Sequence, residues 1–234
     1  MTRTNEKALR RQTEPVPEPA PEADLASALA GGQGRLETLG AAIRDAREQR
    51  GLALRELARR LGVSPSLISQ IERGRVMPSV GTLYAISREL ELTFENLFNE
   101  TKQPAVPART GSIVPAVDSP DGPVQRAHNR QSIRLAGGVQ WERLTARHDE
   151  HVEFLHVVYE VGATSCPPDA LVRHGGKEYA YVLSGRLGLR VGFQEFELGP
   201  GDSVSFSAEL PHRLWAIGDE PVSAIWVIVN RVSP

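Results

Sequence analysis

Residues 54–73 read LRELARRLGVSPSLISQIER, and the parsing of this stretch decides the fold. Leu54, Leu57, Ala58 and Leu61 recur at helical spacing and give one apolar face. Gly62 ends that helix, because a residue tolerant of positive φ closes it sharply. Ser64 stands as an N-cap, and Pro65 follows at the first helical position, where its missing N–H costs nothing. The second helix buries Leu67, Ile68 and Ile71, and its other face carries Ser66, Ser69, Gln70 and Arg73. A short face rich in donors suits a helix that lies in a DNA major groove.

Outward from this pair the helical pattern continues. Residues 35–50 predict a helix with Leu36, Leu39, Ile43 and Ala46 or Arg47 near one stripe, stopped by Gly51. Ser79 is an N-cap for a helix holding Val80, Leu83, Ile86 and Leu90. Thr93 begins a short last helix with Phe94, Leu97 and Phe98, which makes five helices in a small all-α domain over 35–99.

From about Leu39 to Phe98 the chain resembles the helix-turn-helix of the phage-repressor (XRE) family of bacterial regulators. The most specific part is SPSLISQIERGRVMPSVGTLYAIS, residues 64–87. The resemblance implies a double-stranded DNA operator as partner. It places Ser64, Ser66, Ser69, Gln70 and Arg73 on or beside the groove-facing surface. Gln70 is the candidate for base readout, because its amide bonds adenine bidentately. Arg55, Ser79 and Thr82 are candidates for phosphate contact.

The formal net charge is −2, which is wrong for a DNA binder until it is read by segment. From Arg44 to Arg75 there are eight arginines against four acidic residues; from Arg126 onward there are eleven basic residues against thirteen acidic ones. The basic footprint is confined to the helical domain, so the second domain does something else. No apolar run approaches the roughly 18 residues that span a bilayer. No signal peptide is evident, and the single cysteine, Cys166, fits a reducing cytoplasm. Residues 1–34, rich in Pro, Ala, Glu and Gly, predict a disordered tail. Residues 100–125, with five prolines, predict a linker holding at most one strand at Ser112–Val114.

From Arg126 to the end the period changes. WERLTA, VEFLHVVYEV, EYAYVLSG, RLGLRVG, QEFEL, DSVSF, HRLWAI and SAIWVIV are short, β-branched or aromatic, and bounded by turn residues. HGGKEYAYVLSG followed by LGPGDSVSFSAELPHRLWAIGDEP resembles the two motifs of the cupin superfamily, over roughly residues 155–229. The resemblance implies an all-β double-sheet barrel over 126–234, and so a two-domain α plus β chain. His174 holds the place of the second histidine of the first motif, Glu178 and Gly185 the next two, and His212 that of the second motif. Val172 stands where the first histidine usually is, and Ala216 where an asparagine often follows. His174, Glu178 and His212 then form a two-histidine, one-carboxylate set for a divalent metal such as Fe, Mn, Ni or Zn. Without metal, the same cluster is a recognition point for a polar effector. His128, His148, His151 and His156 have no partner at ligand spacing, and the three tryptophans read as packing, Trp215 being the one that could line the cavity.

The two resemblances together imply a transcriptional regulator rather than an enzyme. It would act as a homodimer on a palindromic operator, with a small effector in the barrel tuning operator binding. A metal-dependent cupin enzyme (a dioxygenase or isomerase) fused to a DNA-binding domain is one alternative. A DNA binder whose cupin only dimerises is the other.

Overall fold

A computed structural model describes residues 22–92, 122–149 and 151–230. Its first four elements are the helices α1 (Glu22–Gln49), α2 (Leu54–Leu61), α3 (Pro65–Glu72) and α4 (Val80–Glu89). The turn between α2 and α3 forms as its residues predict. Gly62 adopts φ 68° and caps α2, its N–H directed to the carbonyls of Ala58 and Arg59. The Ser64 hydroxyl accepts from Leu67 N–H at 3.1 Å, and Pro65 opens α3. Leu39, Ile43, Leu57, Ile68, Ile71, Leu83, Ile86 and Leu90 are all buried and make the helical core. At Gly40, α1 comes so close to α3 that a methyl group would strike the backbone of Ile71 and Glu72. The same two helices are tied by a buried bidentate pair, Arg47 Nε to Glu72 Oε1 at 2.6 Å and Nη2 to Oε2 at 2.9 Å. Arg47 also donates to Leu52 O at 2.9 Å, so neither charge is buried without partners.

Two expectations for this domain are corrected. Its first helix starts at Glu22, not at residue 35, so residues 22–34 belong to α1 and not to a disordered tail. The segment EADLASALA is dominated by Ala and Leu, strong helix formers that continue an established helix. Four α-helices are described, not five. The helix expected from Thr93 lies outside the described residues, as do most of the linker and its strand at 112–114.

The second domain follows a single 3-10 turn (Ala127–Asn129). Its strands are β1 (Ser132–Leu135), β2 (Val139–Arg143), β3 (Val152–Tyr159), β4 (Lys177–Ser184), β5 (Arg186–Val191), β6 (Gln194–Leu198), β7 (Ser203–Ser207), β8 (His212–Ile217) and β9 (Val222–Val229). They form a six-stranded sheet in the order β1-β2-β3-β9-β4-β7 and a three-stranded sheet in the order β6-β5-β8. From β4 onward the chain passes back and forth between the two sheets, and Gly185 (φ 74°) makes the first passage. The expected barrel does not close. Only isolated bridges, Thr164 with Trp215 and Val172 with His212, extend the small sheet at β8. β1 was not among the expected strands, because SIRL is too short to show a period.

The helical domain sits directly on the sheets. Ala136 N–H donates to Pro78 O at 3.0 Å, and Gly81 N–H at the start of α4 donates to Ser165 O at 3.2 Å.

Candidate functional site

Strand alternation builds the site. In β4 the inward positions are Glu178, Ala180 and Val182; in β8 they are His212, Leu214 and Ala216. The segment before β4 pairs with the segment before and into β8, through Val172 N–H to His212 O (2.8 Å), His212 N–H to Val172 O (2.9 Å) and His174 N–H to Ala208 O (3.1 Å). That pairing brings His174 over Glu178 and beside His212.

The three side chains are buried and converge. Glu178 Oε1 lies 2.8 Å from His174 Nε2 and 3.2 Å from His212 Nε2. All three donor atoms lie within 4.8 Å of one another. The outer nitrogens fix the tautomers: His174 Nδ1 is 2.9 Å from Gly175 O and His212 Nδ1 is 2.9 Å from Leu210 O, so each carries its proton there. Both Nε2 lone pairs then face a carboxylate oxygen. Neither His174 Nε2 nor Glu178 Oε1 completes an aligned hydrogen bond. Burial pushes the Glu178 pKa up, but a proton taken up on the Nε2 of His174 and His212 outweighs burial through hydrogen bonding and charge and holds the carboxyl at about 2. Three acceptors aimed at one point require a cation, either protons on the imidazoles or a metal. Two ligands each about 2.1 Å from one cation lie close to 3 Å apart at right angles, so these residues fit a divalent metal. Their outer partners have the form that orients metal ligands: carbonyls hold both Nδ1–H groups, and Trp226 Nε1–H donates to Glu178 Oε2 at 2.7 Å.

The space beside the triad is small, a cavity of about 20 Å³. Val172, in the place of the missing histidine, forms part of its wall with Trp141, Leu155, Val157 and Trp226. Val80 and Tyr84 close it from α4. The Tyr84 ring lies flat on His174, centroids 4.0 Å apart and planes 6° apart, and meets Trp141 edge-on at 5.8 Å. Trp215 does not line this cavity; it covers Gly188 and carries the Arg213 guanidinium 4.8 Å above its ring. His156 is satisfied by Glu142 (3.1 Å) and Ser223 (2.8 Å), and Cys166 is buried, with its pKa raised by burial.

The second surface is on α2 and α3. Ser66, Gln70 and Arg73 are exposed along one line of α3, with Ser69 half-buried between them and Ser64 exposed at the cap. Arg55 is exposed on α2. Several arginines of this basic domain are already neutralised: Arg47 by Glu72, Arg59 and Arg60 by Glu56, and Arg50 by Glu91. Among the described residues Arg55, Arg73 and Arg75 have no carboxylate partner. Arg75, exposed next to the end of α3, is a phosphate candidate that helical periodicity did not single out, since it lies past the helix. Ser79 and Thr82 are half-buried. Their hydroxyls are 3.0 Å apart, Ser79 Oγ accepts from Thr82 N–H, and the Ser79 backbone bridges to Ala136.

Comparison with known proteins agrees with this domain arrangement. Residues 43–97 match the helix-turn-helix family model and residues 155–228 match the cupin domain model. The HTH-type transcriptional regulator PuuR of Escherichia coli (strain K12) is 25% identical over 173 residues, 74% of this chain and 84% of its own. The HTH-type transcriptional regulator SutR of the same organism is 26% identical over 184 residues, 79% of this chain and 90% of its own. The crystal structure of an HTH_3 family transcriptional regulator from Vibrio cholerae superposes with a TM-score of 0.59 at 20% identity, covering 86% of this chain and 99% of that one. This chain is a helix-turn-helix regulator of the phage-repressor type with a C-terminal cupin domain. No described helix is long and apolar enough to cross a membrane.

Proposed function

We propose that this regulator binds operator DNA as a homodimer through α3 and senses a small effector at the His174, Glu178, His212 site, with a divalent metal as the anchor. The carrying observation is the convergence of two imidazole lone pairs and a carboxylate oxygen on one buried point. A metal bound there would supply a Lewis-acid hold on an oxygen or nitrogen donor of the effector. The protein's own part is to orient the ligands through Gly175 O, Leu210 O and Trp226, and to keep the surroundings apolar. On the DNA side, Gln70 reads a base, and Arg55, Arg73 and Arg75 hold phosphates, with Ser64, Ser66 and Ser69 filling the face between; Ser79 and Thr82 flank it.

Dimerisation rests on two supports. One short recognition helix reads only a few base pairs, so a second copy on a two-fold axis is needed for a specific site. The outer face of the six-stranded sheet carries an apolar patch: Phe154 and Tyr179 flank Val227, beside exposed Tyr181 and Val229. That is the face a second copy would cover. The relatives' names point to regulation rather than catalysis.

The test is metal content and operator affinity of the full-length protein beside a His174→Ala, His212→Ala double variant. The proposal expects near-stoichiometric metal in the first, none in the second, and operator binding retained in both but responsive to metal and effector only in the first. Absence of metal from the unaltered protein, after incubation with Fe(II), Mn(II), Ni(II) and Zn(II), would remove the metal from this reading.

A further inference from the structure

The cavity at the triad and the helix that covers it belong to different domains. At about 20 Å³, the cavity holds one water molecule, which needs about 10–15 Å³, or a bare ion. It does not hold an organic molecule, whose sites begin near 300 Å³. The covering side chains, Val80 and Tyr84, come from α4. Outside them lies a larger cleft of about 580 Å³, walled by Gly81, Ala85 and Arg88 of α4 on one side and by Leu171, Arg173 and Glu209 on the other. His174 and Val172 border that cleft too, and Val172 lines the inner cavity as well. The two spaces are thus divided by the Tyr84–His174 stack and the Gly81–Ser165 hydrogen bond.

We propose that α4 of the DNA-binding domain is the lid of the cupin site, so that any ligand larger than an ion and a water reaches the triad only when α4 lifts. This rests on the reading of the triad as the ligand site and adds how it is regulated. Leu83, Ile86 and Leu90 on the other side of α4 belong to the helical core shared with α2 and α3. A lifted α4 therefore carries the recognition helix with it. Docked lid and loaded site exclude each other, and effector binding shifts the equilibrium between two placements of the DNA-binding head without any signal through the 100–125 linker.

The chain's own cysteine supplies the test. A Cβ added to Gly81 stands 3.4 Å from Cys166 Cβ, close to the roughly 3.8 Å of disulfides, so Gly81→Cys should lock α4 down on oxidation. The full-length variant, oxidised and reduced, is loaded with Co(II) and titrated with acetohydroxamate, read by cobalt absorption. The lid predicts at least tenfold weaker acetohydroxamate binding in the oxidised form, restored by reductant. Equal affinity in both forms, or failure of the disulfide to form, would overturn the lid. Failure of Co(II) to bind either form would count against the metal site alone. The lid is then decided by the labelling rate of Cys166, buried beneath α4 in the unaltered protein. Tyr84→Ala should raise that rate at least tenfold while Tyr84→Phe leaves it near the original; no change in Tyr84→Ala would again overturn the lid.

Discussion

In the proposed function, Gln70 and Arg75 separate the two parts of DNA binding at single residues. Gln70 is exposed in the last turn of α3, with an amide of the kind that can pair with one base edge. Gln70→Ala should lose about 1–3 kcal/mol on the specific operator and little on random DNA. Arg75→Ala should weaken both alike and lower the slope of log affinity against log salt by about one. Filter binding or fluorescence anisotropy over a salt series reads both. Equal losses for Gln70→Ala on specific and random DNA would reassign it to phosphate contact.

Within a strand, the period of two leaves no choice about which side chains go inward. In β3 that period buries Leu155, Val157 and Tyr159, and it also buries Glu153. Burial raises the Glu153 pKa, with Arg143 opposing and Asp149 adding to the rise, to about 7. The folded state thus holds a proton that the unfolded state releases near 4.5. Stability from this group is full at low pH and falls as pH rises from 4.5 toward 7, by up to about 3 kcal/mol. Glu153→Gln should therefore raise the urea midpoint at pH 8 and leave it near the original at pH 5. A variant that shifts both midpoints equally would place the effect in packing, not in charge. The same logic of elements explains α1 and α3: Gly40 permits the close approach, and the Arg47–Glu72 pair holds it at that distance.

For the whole molecule, the proposal places the coupling between the two domains at their seam. Metal that binds the folded triad and not the unfolded chain stabilises by mass action, about 2.7 kcal/mol at a hundredfold excess over its dissociation constant. The melting temperature of the full chain should rise with added Zn(II) or Ni(II), and the His174→Ala, His212→Ala variant should show no rise. A tenfold change in operator affinity needs only about 1.4 kcal/mol of coupling between sites. One aromatic stack and one or two hydrogen bonds across the seam are of that order.

By itself the sequence determined the local parts of this protein. The caps at Ser64 and Ser79, the stop at Gly62, and the inward residues of α2, α3 and the later strands follow from period and turn chemistry, which act over a few residues. His174, Glu178 and His212 were named because the two cupin motifs stand intact enough at those positions. What needed the tertiary structure acts between segments distant in the chain. Composition argued for disorder over residues 22–34, yet the helix continues there, since propensity and an adjoining helix outweigh a missing aromatic anchor. The sheets were expected to close and do not, because closure depends on pairing between strand edges, which no alternation pattern encodes. Helical periodicity does not single out Tyr84. Only the packing of α4 against the sheets lays its ring on His174 and brings the helical domain into the wall of the candidate site.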